Sequence, residues 1–284
     1  MTYHRDVDNI ISHLSPCLSL CVQVNLIQQY LAVQFSRQLK RPDYSPFTSI
    51  LNALIFRRRN AHLEWAAVEM MQPSPGQTVL EIGYGLGYGV LFAAERVAPQ
   101  TVDFLRTEGP WDRIARMLRP EKTDFANDGH VYGVDISRYM YDKACKRLKP
   151  LIREGIVTLN LASVDHLPML ASSVDCCFHV DCFYYWPELT RSLKNLWRVL
   201  RPDGKLVTTF SAAQLRMFNK RGWLRYGRAD PVAYALALES CGFDRVEWIK
   251  DHVSGRSKEP FDCILARKPP TRLLHSANSQ TQSS

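Results

Sequence analysis

Four glycines at alternate positions follow a single acid in Glu81-Ile82-Gly83-Tyr84-Gly85-Leu86-Gly87-Tyr88-Gly89. Glycine lets a backbone turn tightly and approach a bound molecule closely, and a following helix offers free N–H groups at its start. A dinucleotide fingerprint would need its third glycine where Tyr88 stands, and no lysine follows as a phosphate loop requires. The Glu81 carboxylate would repel a pyrophosphate and attract an ammonium group. The cradle therefore suits a cationic, phosphate-free ligand that combines an amino acid with a nucleoside. Further along, Asp135 and Asp181 each follow an apolar run, and His179 and His166 are candidate bases. His179 lies within its run, where a buried structural histidine is the competing reading.

Alternating elements must position these groups. Val79–Ile82, Val131–Ile136, Val157–Leu161, Val174–Val180 and Lys205–Phe210 read as strands. Helical patterns at Val90–Val97, Ser137–Leu148, Pro187–Leu200 and 230–241 separate most of them. Phe243–Lys250 and Phe261–Arg267 read as a final antiparallel pair. The alternation predicts an α/β fold, a doubly wound, mostly parallel, seven-stranded Rossmann-like sheet with an antiparallel last strand, carrying its ligand at the carboxyl ends of the strands. Residues 1–72 form an N-terminal helical extension or lid, 73–268 the catalytic domain and 269–284 a disordered tail. About thirty residues intervene before the second strand, and this span, 99–129, reads as a dispensable surface insertion with at most one short helix.

Four segments in order resemble the class I S-adenosylmethionine-dependent methyltransferases, in particular the small-molecule branch with the ubiquinone and menaquinone enzymes. They are Glu81-x-Gly83-x-Gly85-x-Gly87, then Asp135, then Ser163-Val164-Asp165-x-Leu167-Pro168, then Trp197-Arg198-Val199-Leu200-Arg201-Pro202-Asp203-Gly204-Lys205-Leu206. The resemblance covers roughly residues 75–270. It implies S-adenosyl-L-methionine as cofactor, with Glu81, Gly83, Tyr84, Gly85 and Gly87 around its methionine moiety. Asp135 and Ile136 would take the ribose, Ser163 and Val164 the adenine. Ser163 stands where the family commonly has Asp, and a hydroxyl accepts less strongly than a carboxylate. Tyr84 and Tyr88 either cover the methionine portion or shield the turn.

The acceptor should lie over the end of the fourth strand, at Asp181-Cys182-Phe183-Tyr184-Tyr185-Trp186. Tyr184, Tyr185 and Trp186 form an apolar, π-rich substrate wall or pack the following helix. Asp181 touches the cofactor or the acceptor, or caps the next segment. Asp181 and His179 are the candidate catalytic residues. Ser211–Gly227, with Met217, Phe218, Trp223 and Tyr226, is a second candidate wall. The expected activity is methyl transfer to a small, apolar or aromatic molecule. The alternatives are a non-catalytic cofactor-binding module of the same fold, or a protein or nucleic-acid methyltransferase.

Other functions find little support. The net charge of +8 with pI near 9.1 fits solvated surface runs such as Arg57-Arg58-Arg59 better than a nucleic-acid face, since no aromatics interleave a basic motif. Eight cysteines include no metal-spaced pair, so no metal site is expected. Their usage suits a reducing compartment, and the cytoplasm is the expected location. Between Asn9 and Ser36 there is no charged residue, yet Leu20, Val24, Ile27, Leu31, Phe35 and Leu39 recur at helical spacing. That amphipathic helix is a candidate for weak membrane-surface contact. His13, Pro16 and several glutamines argue against a span.

Overall fold

The computed structural model describes residues 16–56, 60–107, 109, 128–254 and 259–270. The expectations for Arg57–Arg59, for residues 111–118 and for most of the tail lie outside them. The chain runs α1 (Pro16–Lys40), α2 (Pro46–Leu51), a π-helical turn (Asn52–Phe56), α3 (Asn60–Met71), β1 (Thr78–Ile82), α4 (Tyr88–Val97) and α5 (Pro99–Thr107). There follow β2 (His130–Asp135), α6 (Arg138–Arg147), α7 (Lys149–Arg153), β3 (Val157–Leu161), β4 (Val174–Val180), α8 (Leu189–Val199), β5 (Leu200–Phe210) and α9 (Ala212–Lys220). The last elements are α10 (Pro231–Ser240), β6 (Asp244–His252) and β7 (Phe261–Arg267).

The seven strands form one sheet in the order β3-β2-β1-β4-β5-β7-β6. β1 to β5 pair in parallel, and β7 inserts antiparallel between β5 and β6. The order reverses at β1/β4, which puts the ends of those two strands at a topological switch point where open α/β sheets place their ligands.

Strand alternation decides what each face carries. Val79 of β1 and Cys176, Phe178 and Val180 of β4 join Leu63, Ala66 and Ala67 of α3 and Ala93 and Val97 of α4 in one buried cluster. Leu80, Ile82 and Cys177 join Leu193 and Leu196 of α8 and Tyr234 and Leu238 of α10 in a second cluster on the opposite face. Glu81, in phase with Val79, must therefore point into the α3/α4 layer. His179, in phase with Cys177, must point into the α8/α10 layer.

The reading of 99–129 as a dispensable insertion needs correction at its start. α5 occupies Pro99–Thr107, Thr101 and Val102 are buried, and Val102 belongs to the first core cluster. The Thr101 hydroxyl bonds Asp128, and Gly129 N donates to Val97 O. β5 also begins earlier than the pattern suggested. Its first residues include the Arg201–Gly204 turn, where Asp203 adopts a φ of +64° and the pairing with β4 shifts register.

Candidate active site

A cavity opens at the carboxyl ends of β1, β2 and β4. Its floor is the glycine loop. Gly83 and Gly85 line it, both with positive φ, and Gly87 at +80° starts α4. A Cβ at Gly83 would press on the Cys182 side chain at 3.2 Å, whereas one at Gly85 would meet nothing closer than 4.0 Å. The backbone at Gly85 is thus open to a ligand, as a cradle requires.

Asp135, at the end of β2, lines the cavity and is 9% exposed. Its Oδ2 accepts from Gly85 N at 3.0 Å and its Oδ1 from Ser137 N at 2.8 Å. The carboxylate thereby ties β2 to the glycine loop. Burial raises its pKa to about 6, against the pull of those amides. Each oxygen keeps a second lone pair free to accept from vicinal hydroxyls. Ile136, Ser163 and Val164 line the same end of the cavity. The Ser163 hydroxyl also accepts from Asp165 N at 3.3 Å, so part of its capacity goes to its own turn.

Asp181 lines the cavity beyond β4 with a φ of +47°. Its oxygens accept from Ser211 N and Gln214 Nε2, both at 3.4 Å, which is long for a charge-assisted bond. Burial raises its pKa to about 7, against lowering by the Ser211 amide and the Tyr184 hydroxyl. Tyr185 and Trp186 form the adjacent wall. The buried Tyr185 hydroxyl has no hydrogen-bond partner among the described residues.

Several expected residues fall elsewhere. His179 is fully buried away from the cavity. Its Nε2 is bonded to Tyr234 Oη at 2.7 Å and Thr208 Oγ1 at 2.9 Å, and burial drives its pKa down to about 3. It is a neutral core residue and cannot take a proton from an acceptor. Tyr84 is fully buried in the first core cluster, because the loop turns its ring under β2, against Gly133. Tyr88 is covered by the Arg147 guanidinium at 3.7 Å from its ring centre, and Arg147 Nε donates to Leu86 O. These two tyrosines shield the turn. Tyr184 is buried between the rings of Phe183 and Tyr185 and does not line the cavity. Glu81 lies beneath the loop, fully buried and off the cavity surface, as its strand phase demands. Gly87 is likewise not part of the lining. The Ser211–Gly227 wall is also absent from the lining. Phe218 and Trp223 instead pack with Phe35, Leu39, Leu51 and Ile55, and so support the helices over the cavity.

Those helices contribute residues that the sequence did not assign to the site. Leu39, Lys40 and Pro42 border the cavity, as do Phe56, Asn60 and Glu64, with Met140 from α6. The Ser137 hydroxyl donates to Pro42 O at 2.5 Å and pins this cover to the end of β2. Asn60 and Glu64 sit one turn apart on α3, so their side chains share a face. A signal for them existed: Glu64 interrupts a face of Leu63, Ala66, Ala67, Val68 and Met71 that is otherwise apolar.

The set fits the methyl donor. It offers an open glycine backbone, an acid for a ribose at Asp135, and an unpartnered carboxylate oxygen on Glu64 for a cation. Comparison with known proteins agrees. The methyltransferase-domain family matches residues 113–208, which begins after the glycine loop and ends within β5. The matched methyltransferase domain, the methyltransferase relatives and the fold support a class I S-adenosylmethionine-dependent methyltransferase. Its cofactor is S-adenosylmethionine. An uncharacterized methyltransferase of Bacillus subtilis, YdaC, is 27% identical over 155 residues, 55% of this chain and 67% of that protein. The demethylmenaquinone methyltransferase of Lactobacillus johnsonii is 28% identical over 103 residues, 36% of this chain and 42% of its own. Apart from YdaC, the first curated relatives are matched over less than half their length. Among solved structures, a Haloferax volcanii methyltransferase bound to the Trm112 activator superposes with a TM-score of 0.54 at 16% identity, over 83% of this chain and 97% of that one. The geranyl diphosphate C-methyltransferase of Streptomyces coelicolor, which holds S-adenosyl-L-homocysteine, gives 0.53 at 14%, over 82% and 87%. These two likenesses concern the fold.

Proposed function

We propose that this protein transfers the methyl group of S-adenosylmethionine to a small, largely apolar molecule. The observation that carries this is the continuity of the cavity. The donor-side residues Gly83, Gly85 and Asp135 share one lining with Leu39, Phe56, Leu86, Met140, Tyr185 and Trp186. The sulfonium supplies both the methyl group and its leaving group. The chain's own task is to align the acceptor and keep water out. Phe56, Leu86 and Trp186 would exclude water, and the free Tyr185 hydroxyl would hold one polar atom of the acceptor. Asp181, with its pKa near 7 and weakly held oxygens, is positioned to take a proton from an acceptor that is not already nucleophilic.

In support of a lipid-like acceptor, α1 leaves Val24, Ile27, Tyr30 and Leu31 exposed. Its stripe runs beside Arg216, Lys220 and Arg221. Such a face suits weak contact with an anionic membrane surface. No helix among the described residues is long and apolar enough to cross a membrane.

The test is a screen of metabolite and lipid extracts with methyl-labelled cofactor. A labelled, organic-soluble small product is expected. Label found only in protein or nucleic acid would refute the acceptor class.

A further inference from the structure

Two buried carboxylates, one beneath the glycine loop and one on the cavity side of it, interact with no cation of the described residues between them. Glu81 is fully buried on β1, and neither of its oxygens completes a hydrogen bond within the described residues. Glu64, 4% exposed on α3, raises the Glu81 pKa by its charge and has an unpartnered Oε2. The Gly89 and Val90 amides at the start of α4 favour the charged forms of Glu64 and Glu81 respectively, yet leave these three oxygens unsatisfied. The start of α4 packs closely on Glu81, since a Cβ at Gly89 would come within 2.3 Å of its Oε1. Glu64 is the member that lines the cavity. It stands above the loop with Asn60, whose Oδ1 is likewise buried and unpartnered. Asp135 and Asp181, the other acids of the lining, already accept hydrogen bonds.

We propose that Glu64 is the receptor for the methionine ammonium of the cofactor, and that this cation displaces a proton which Glu64 and Glu81 share in the free protein. The proposal rests on the methyl-donor reading of the cavity.

Two buried carboxylates side by side cannot both ionise cheaply, so the free pair retains one proton. Burial lifts Glu64 to about 8, and burial followed by the Glu64 charge lifts Glu81 well above its usual value. The other groups around the pair do not replace the proton. Among the described residues Arg147 of α6 is the cation that acts on Glu64, but its guanidinium is committed to the Tyr88 ring and Leu86 O. Asp135 on β2 adds repulsion, the buried Tyr84, Cys177 and Cys182 stay neutral, and Lys40 lines the cavity from α1. Arrival of an ammonium lets the proton leave to solvent. Two carboxylates then face one cation, and the net charge of the site is unchanged.

Calorimetry separates this role from a structural one. S-adenosylhomocysteine carries the ammonium, whereas 5′-methylthioadenosine lacks the amino-acid end. At pH 7 in buffers of different ionisation heat, the wild type should release a proton on binding the first ligand and none on binding the second. Glu64→Gln should weaken S-adenosylhomocysteine at least about tenfold and change 5′-methylthioadenosine less than about twofold. Glu81→Gln keeps the Glu64 carboxyl, which burial alone raises, so it should retain both the proton release and the preference for S-adenosylhomocysteine. Equal losses for both ligands in Glu64→Gln, unchanged affinity, or wild-type binding without proton release would each overturn the proposal. A wild type that binds neither ligand would instead overturn the methyl-donor reading beneath it.

Discussion

Replacing Asp135 with Asn separates the acid's work on the ligand from its work on the fold. In the native protein Asp135 accepts from Gly85 N and Ser137 N, and burial raises it from its usual 3.8 to about 6. That rise is worth roughly 3 kcal/mol. Its sign is fixed by linkage. The folded state binds the proton more tightly than the unfolded chain, so the stabilisation is complete below pH 3.8 and is lost as pH rises through about 6. Asn does not titrate. It keeps one acceptor oxygen but turns an NH2 toward one of the two amides, at a cost of about 1–3 kcal/mol for an unsatisfied buried donor. The stability gap between wild type and Asp135→Asn should therefore shrink by roughly 3 kcal/mol between pH 4 and pH 7, from a clear deficit to near equality. Relief of the repulsion on Glu81 acts in the same direction. At pH 7 Asp135→Asn should bind S-adenosylhomocysteine about 1–3 kcal/mol more weakly than the wild type, because two charge-assisted acceptors for ribose hydroxyls become one neutral acceptor. Urea melts at half-unit pH steps and calorimetry at pH 7 read the two effects. Parallel pH profiles would refute the burial argument. Unchanged affinity would refute the ribose assignment.

Four further outcomes follow from the same geometry. Gly89→Ala should cost at least about 2 kcal/mol in a denaturant melt, since its Cβ would sit 2.3 Å from Glu81 Oε1 in a packed layer. Tyr234→Phe should destabilise by about 1–2 kcal/mol through loss of the hydroxyl bonded to His179 Nε2, with cofactor affinity unchanged by calorimetry. Deleting 110–127 should leave the melting temperature within a few degrees. Extending the deletion back to residue 100 removes Val102 from the core and should cost a further 2 kcal/mol or so. Changing Val24, Ile27 and Leu31 together to Ser should reduce sedimentation with anionic vesicles severalfold and leave stability nearly intact, because all three are exposed.

The order of elements was legible because each carries its own local signal. Short apolar runs ending in an acid or a turn marked β1, β2 and β4. Ser137 accepts from Met140 N at the start of α6, and Asp230 accepts from Ala233 N at the start of α10. Asp135 could be assigned from sequence since its position after a strand is enough to put it at the carboxyl edge. The boundary of β5 was not legible, because the Arg201–Gly204 turn looks like a break and is absorbed as an irregularity in the pairing. A short helix was allowed within 99–129 but not placed at Pro99–Thr107, because only Thr101 and Val102 are buried, too few to show a period.

The sequence by itself therefore determined the class of fold, the glycine cradle and the acid at the end of β2. All three rest on local chemistry: apolar runs of strand length, glycines that permit positive φ, and a carboxylate at the end of a strand. Tertiary structure alone decided which acid reaches the cavity. Strand alternation sends Glu81 into the layer beneath the loop, and helix packing brings Glu64, seventeen positions earlier, to the cavity surface in its place. It also decided that His179 is core and Asp181 is cavity. They are two positions apart in the chain, but His179 sits in the strand phase that points into the α8/α10 layer, whereas Asp181 lies beyond β4 where the chain leaves the sheet. No pattern in one chain records which helices cover which face. That depends on contacts between residues far apart in sequence, and these form only when the sheet closes.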